Sequence, residues 1–198
     1  MPKRVAVLVD AMYLQKVCSA FGVDPFDVQK IPPAVLRAGE ETTRTYVFDA
    51  LPFLPENATS DQRDQRTAKR RFFDYLRLLE HVTVEEGHVQ PKPTVCRRCG
   101  ETFVVPVQKQ VDVKISVRLV QLAFSHTVDV IVLVCGDGDI TPAVKAIDGT
   151  GVDVRLAYAT VPEQRVFTSG ELIRACQEKR YLDRAVVESL RATATSRQ

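Results

Sequence analysis

Two carboxylates stand where an apolar run stops. Val130-Ile-Val-Leu-Val-Cys-Gly-Asp-Gly-Asp139 carries Asp137 and Asp139 one residue apart, each preceded by a glycine. Such a β-branched run suits a strand covered on both faces, and strands of that kind occur mainly in parallel sheets. Open α/β sheets bind their ligands beyond the carboxyl ends of the strands. Glycines there let the backbone turn sharply, so that acidic side chains can crowd around a hard cation. Taken alone, the segment is equally a solvated Asp-Gly turn. A second short apolar run, Arg4-Val-Ala-Val-Leu-Val-Asp10, also ends in an aspartate, and two strands ending alike predict one shared site. Asp112 is the third candidate, opening a segment in which the apolar residues at 115, 119, 122 and 123 follow helical spacing. In that position it is also a plain N-terminal charge favoured by the helix dipole.

Cys96-Arg-Arg-Cys-Gly100 has the spacing of half a zinc knuckle. A closed tetrahedral site needs two more ligands, for which His88, His81 or another chain are candidates; the other reading is a hairpin that merely retains its cysteines. The flanking prolines Pro91, Pro93 and Pro106 disfavour a redox pair at a helix start. Basic residues cluster as well. On a helix expected over 61–80, Phe72, Phe73, Leu76 and Leu79 form an apolar stripe, while Arg63, Arg66, Arg70 and Arg77 recur elsewhere, flanked by Lys69 and Arg71. Arg97, Arg98, Lys109, Lys114 and Arg118 lie close in sequence to the acidic candidates. These are candidate phosphate contacts, or a solvated face.

The elements that must position these groups alternate: strand 4–10, helix 11–21, a Pro-punctuated loop around Pro25 and Pro32-Pro33, strand 44–50, helix 61–80, a strand near 82–86, and a Cys-containing excursion over 87–108. Helix 112–125, strand 128–135, helix 141–149, strand 152–158, helix 169–178 and a final helix from about 181 follow. This order predicts a parallel sheet wrapped by helices. Thr141-Pro142 supports a helix directly after the acidic turn. One compact domain over 1–183 is expected, with 184–198 as a helix end and tail, frayed from about Ala192.

With 198 residues, 45% of them hydrophobic, the chain can bury a substantial core, and 27 basic residues nearly balance 25 acidic ones. No apolar run is long enough for a membrane span, and no signal peptide is evident, so no membrane partner and a cytoplasmic location are expected. Five scattered cysteines do not resemble a secreted disulfide framework, and Cys18, Cys135 and Cys176 are expected as reduced core thiols. Neither a P-loop nor a dinucleotide fingerprint follows either acidic strand, and the three histidines lie in no nucleophile motif, which disfavours nucleotide-processing and serine or cysteine hydrolase chemistry.

Val9-Asp10, Lys109-Gln-Val-Asp112-Val and Cys135-Gly-Asp-Gly-Asp139-Ile together resemble the NYN domain of the LabA-like, PIN-like nuclease superfamily, from about Lys3 to Asp183. The resemblance implies a three-layer α/β/α fold with a mostly parallel central sheet and a small Cys-containing hairpin. It also implies a metal-dependent endoribonuclease acting on RNA, single-stranded by expectation. Asp10, Asp112 and Asp137 would bind Mg²⁺ or Mn²⁺ and, with Asp139, form the catalytic set. Arg63, Arg66, Lys69, Arg70, Arg77, Arg97, Arg98, Lys109 and Lys114 would hold nucleic acid. Cys96 and Cys99 are candidate zinc ligands, and a homodimer is left open. The chain departs from the family pattern at Tyr13, Arg118 and Gln177, so a catalytically degenerate nucleic-acid-binding or regulatory module is the alternative.

Overall fold

Residues of alternate parity on β1 (Lys3–Asp10) face opposite sides: Val5, Val7 and Val9 enter one apolar cluster, Ala6 and Leu8 the other, and all five are fully buried. Each such valine or leucine contributes about 1.5–3 kcal/mol, and a strand apolar on both faces has to lie at the centre of a layered fold. The computed structural model, which describes residues 1–193, has that arrangement. On one side of the sheet lie α1 (Ala11–Ala20), α2 (Ile31–Val35), α3 (Ser60–Leu78) and α7 (Arg184–Ser189); on the other lie α4 (Val111–Phe124), α5 (Thr141–Ala146) and α6 (Gly170–Ala175). The remaining strands are β2 (Glu40–Ala50), β3 (Val82–Val95), β4 (Thr102–Lys109), β5 (Val130–Val134), β6 (Asp153–Tyr158) and β7 (Glu178–Tyr181).

The sheet order is β4-β3-β2-β1-β5-β6-β7, parallel throughout except for β4. The chain winds outward from β1 in one direction through β2 and β3, then restarts beside β1 with β5 and winds the other way. The crevice between the ends of β1 and β5 is therefore the topological switch point, where crossovers depart to opposite faces and leave room for a ligand. Asp10 ends one of these strands and Asp137 follows the other by three residues.

Local sequence sets the helix starts. Asp10 caps α1, Ser169 caps α6 and Asp183 caps α7 by accepting a backbone N–H. Thr59 and Gln62 form a reciprocal capping box at the head of α3. A buried ion triad spans the sheet on the α1 side, with Arg155 on β6 bonded to Glu40 at 2.6 Å and Glu178 at 2.6 Å.

Four expectations need correction. Pro32 and Pro33 are not in a loop but open α2, because proline fits the first helical turn, where its missing N–H is unneeded. The strand expected near 82–86 is longer: β3 runs on to Val95, and β4 returns antiparallel beside it from Thr102 to make the expected hairpin. The prolines are tolerated because β4 is an edge strand and this half of β3 has left β2. The helix expected over 169–178 stops at Ala175, and the residues expected to start a final helix instead end a short strand, β7, whose pairing with β6 outweighs the helical propensity of Glu-Lys-Arg. Beyond residue 183, α7 packs into the same core through Val187 and Leu190. The expected frayed tail falls mostly on 194–198, outside the described residues. Cys18, Cys135 and Cys176 are buried free thiols, and among the described residues no helix is long and apolar enough to cross a membrane.

Candidate active site

The side chain of Asp10 has two separate tasks. Its Oδ1 accepts the Tyr13 N–H at 3.0 Å, which caps α1, and its Oδ2 lies 3.9 Å from the thiol of Cys135, the residue after β5. Asp137 is placed by the turn after β5. Its N–H donates to the Cys135 sulfur at 3.3 Å, and its Oδ1 accepts the Asp139 N–H at 2.9 Å. Asp112 comes from the first turn of α4, on the opposite face of the sheet from α1. These three carboxylates line one cleft of about 390 Å³, together with Met12, Tyr13, Lys16, Gly136, Gly138 and Phe167.

The charges feel one another. Burial raises the Asp10 carboxyl from 3.8 to about 6, with Asp112 and Asp49 adding to the rise and the N–H groups of Tyr13 and Met12 opposing it. Asp112 is raised as well, by burial first and then by Asp137 and Asp139. The Cys135 thiol is raised by burial and by Asp10, so it stays protonated and serves as packing. Burial and neighbouring carboxylates thus disfavour the ionised forms of Asp10 and Asp112, while Lys16 brings a positive charge to the same cleft.

Glycine at 136 is required by proximity. A Cβ there would come within 2.4 Å of the Tyr13 ring and 2.7 Å of the Phe167 carbonyl oxygen. Tyr13 in turn accepts the Ala159 N–H at 2.9 Å and meets the Thr168 hydroxyl at 2.9 Å. It thus ties α1 to the segment after β6 and fixes the backbone beside Phe167, whose side chain is 61% exposed on the rim of the cleft.

Asp139 is exposed and stands next to the cleft rather than in its lining. Arg118 points away, bonding Glu85 on β3 and stacking over the Tyr46 ring at 4.8 Å, so its charge is engaged within the fold. Gln177 accepts the Val154 N–H at 3.0 Å and supports the β6 edge. The basic residues of α3 divide. Arg63, Arg66 and Arg70 line a shallow groove of about 430 Å³ with Arg71; Lys69 turns the other way to the buried Asp49; Arg77 bonds Asp74 and Glu86. Lys109 ends β4 and Lys114 lies in the first turns of α4, on either side of Asp112 in sequence. Arg97 and Arg98 sit with Cys96 and Cys99 at the tip of the β3–β4 hairpin. That tip is ~26 Å beyond the last β2 partner at a strand rise of about 3.3 Å per residue.

Sequence reasoning overlooked Lys16, Asp49 and Phe167. Asp49 had a signal, since Tyr46-Val-Phe-Asp49 is another apolar run ending in an aspartate, near the end of β2 and one residue past Phe48, the partner of Asp10. Lys16 is reached by counting from the cap at Asp10 along α1. Phe167 had none, because long-range contacts bring its segment to the cleft, from Tyr13 to Thr168 and from the Ser169 N–H to the Gly136 carbonyl oxygen.

A family model described as the NYN domain matches residues 4–183. No curated protein matches the chain. Among solved structures, one match is a crystal structure of a Parabacteroides merdae protein named provisionally as an oxidoreductase. It is 9% identical with a TM-score of 0.32, and the match covers 88% of this chain but only 27% of that one, a likeness too slight to carry an argument.

Proposed function

Because the chain belongs to the NYN domain family, within the PIN-like nuclease superfamily, we propose that it is a divalent-metal-dependent endoribonuclease acting on single-stranded RNA. The observation that carries the proposal is the meeting of Asp10, Asp112 and Asp137 in one cleft at the switch point, with the carboxyls of Asp10 and Asp112 raised by burial and by neighbouring carboxylates.

The donor set fits a hard cation in kind, being carboxylate oxygen only. Among the described residues no three His, Cys, Asp or Glu side chains stand close enough to enclose an ion. Mg²⁺ does not require enclosure: it keeps several waters and takes one or two carboxylates plus substrate phosphate oxygens. Asp10, Asp112 and Asp137 would share it, one or two of them as direct ligands and the rest through its retained waters. When bound, such a cation supplies charge neutralisation at the phosphodiester and activation of water.

The remaining lining suits a nucleotide strand. Lys16 gives a positive charge at the cleft for a phosphate, and the exposed Phe167 ring offers a stacking face for an unpaired base. The arginine groove on α3 adds sequence-independent backbone attraction. Tyr13 keeps Asp10 and Phe167 in register by holding both of their segments.

Labelled single-stranded RNA incubated with Mn²⁺ or Mg²⁺ tests the proposal. Cleavage that disappears in Asp10→Asn and Asp137→Asn, with binding retained, supports it. Binding without cleavage under any divalent cation, equal in parent and Asp10→Asn, would make the chain a nucleic-acid-binding module instead.

A further inference from the structure

The β3–β4 hairpin carries two free cysteines, Cys96 and Cys99, at its tip. Beyond Gly87, β3 loses β2 as a partner and continues for eight residues paired only with β4, so its tip stands clear of the domain. There the Cys96 N–H donates to the Glu101 carbonyl oxygen at 2.8 Å, and the Gly100 N–H to the Cys96 carbonyl oxygen at 2.9 Å. Gly100 has φ +74°, in the left-handed region that glycine adopts without penalty. This tight turn brings the two sulfurs together: the Cys96 sulfur receives the backbone N–H groups of Cys99 and Arg98 and faces the Cys99 thiol. Two thiolates converging on one point, with backbone amides supporting a sulfur, are half of a tetrahedral zinc centre.

The chain's own histidines cannot supply the rest. His88 pairs with Lys109 at the base of the hairpin and His81 precedes β3, while the cysteines are at the far end. Among the described residues no third His, Cys, Asp or Glu joins the pair. The tip is also more apolar than a solvated turn requires. Val95 is 60% exposed, Val104 55% and Phe103 47%, with Val95 and Val104 on one face of the ribbon and Phe103 on the other. Arg97 and Arg98, between the cysteines, bring positive charge to a centre that four thiolates would leave doubly negative.

We propose that two copies of this chain join at their hairpin tips through one Zn²⁺ held by Cys96 and Cys99 of each. The second copy is the occupant that the geometry favours, since it brings the two missing thiolates, a matching apolar ribbon and two more compensating arginines.

The test uses the full-length chain under reducing conditions. Stripped protein is titrated with Zn²⁺ alone while light scattering after size exclusion reports mass. The expected result is a doubling of mass complete at one zinc per two chains, reversed by chelator. Co²⁺ in its place should give the charge-transfer intensity of four thiolates. Cys96→Ser and Cys99→Ser lie on an exposed turn and should each remain monomeric with an unchanged circular dichroism spectrum. Phe103→Glu, which keeps every ligand, should weaken dimerisation and zinc retention together. One zinc per chain on a monomer, a two-thiolate cobalt spectrum, no zinc retained, or a dimer that survives chelation or either serine exchange would each overturn the proposal.

Discussion

Asp10→Asn removes a charge that the fold holds at a cost, and it should stabilise the metal-free protein. The carboxyl is raised from 3.8 to about 6, mainly by burial and then by Asp112. A carboxyl raised on folding favours the folded state when protonated. The penalty is therefore absent below about pH 4, grows as pH rises towards 6, and is constant above that. At about 1.4 kcal/mol per pH unit the full penalty is about 3 kcal/mol, and about 2–3 kcal/mol once the open side of the cleft is allowed for. Asparagine is as good an N-cap as aspartate, so the bond to the Tyr13 N–H survives. Urea titrations in chelator should place the variant about 2–3 kcal/mol above the parent at pH 7.5, or about 4–10 °C higher in melting temperature for a domain of this size. At pH 4 most of that gap should be gone. Adding Mg²⁺ at pH 7.5 should raise the parent and leave the variant nearly unmoved. A variant less stable than the parent at pH 7.5 in chelator, or a gap that does not change with pH, would refute the electrostatic reasoning.

Three further outcomes are expected. Phe167→Ala should weaken single-stranded RNA binding by about 1–3 kcal/mol, roughly 5- to 150-fold by fluorescence anisotropy, while leaving the cleavage rate at saturating RNA close to the parent's. Reversing Arg70 and Arg71 to glutamate should weaken RNA binding and reduce the slope of log affinity against log salt by about 0.7 for each phosphate no longer neutralised. Arg155→Ala should destabilise the fold by about 3–5 kcal/mol because it strands Glu40 and Glu178 in the sheet, and Arg155→Met should cost less than Arg155→Ala. Since Arg155 holds the Glu40 carboxyl below its ordinary range, the triad's contribution is present above that range and fades as pH falls through the lowered value. The destabilisation in Arg155→Ala, followed by urea unfolding, should shrink on acidification.

The sheet's centre was legible in the sequence because residues 5–9 of β1 and all of β5 are apolar, with aspartates at or just beyond their ends, a pattern that burial on both faces demands. Their adjacency at the switch point was not legible, since the order of strands is fixed by crossovers and not by any one segment. The ribbon was legible as a hairpin but its length was not, because prolines usually argue against strands, whereas here an edge strand and the absence of a β2 partner tolerate them. The basic face of α3 was visible as a charge pattern, yet the pattern could not say that Lys69 would turn to Asp49 or that Arg77 would be held by Asp74 and Glu86. Tyr13 read as a departure at a polar position, and the fold uses it as a tie between α1 and the Phe167 segment. That role depends on contacts about 150 residues apart, which no local spacing reports.

Anomalous diffraction from crystals soaked in Mn²⁺ bears most directly on the claim that these carboxylates form a catalytic metal site. A peak is expected in the cleft bounded by Asp10, Asp112 and Asp137, within coordinating distance of at least two of their carboxyl groups, and it should vanish in crystals of Asp137→Asn. A chain that cleaves RNA with Mn²⁺ but binds the ion away from these aspartates, or whose Asp137→Asn variant keeps both peak and cleavage, would contradict that claim.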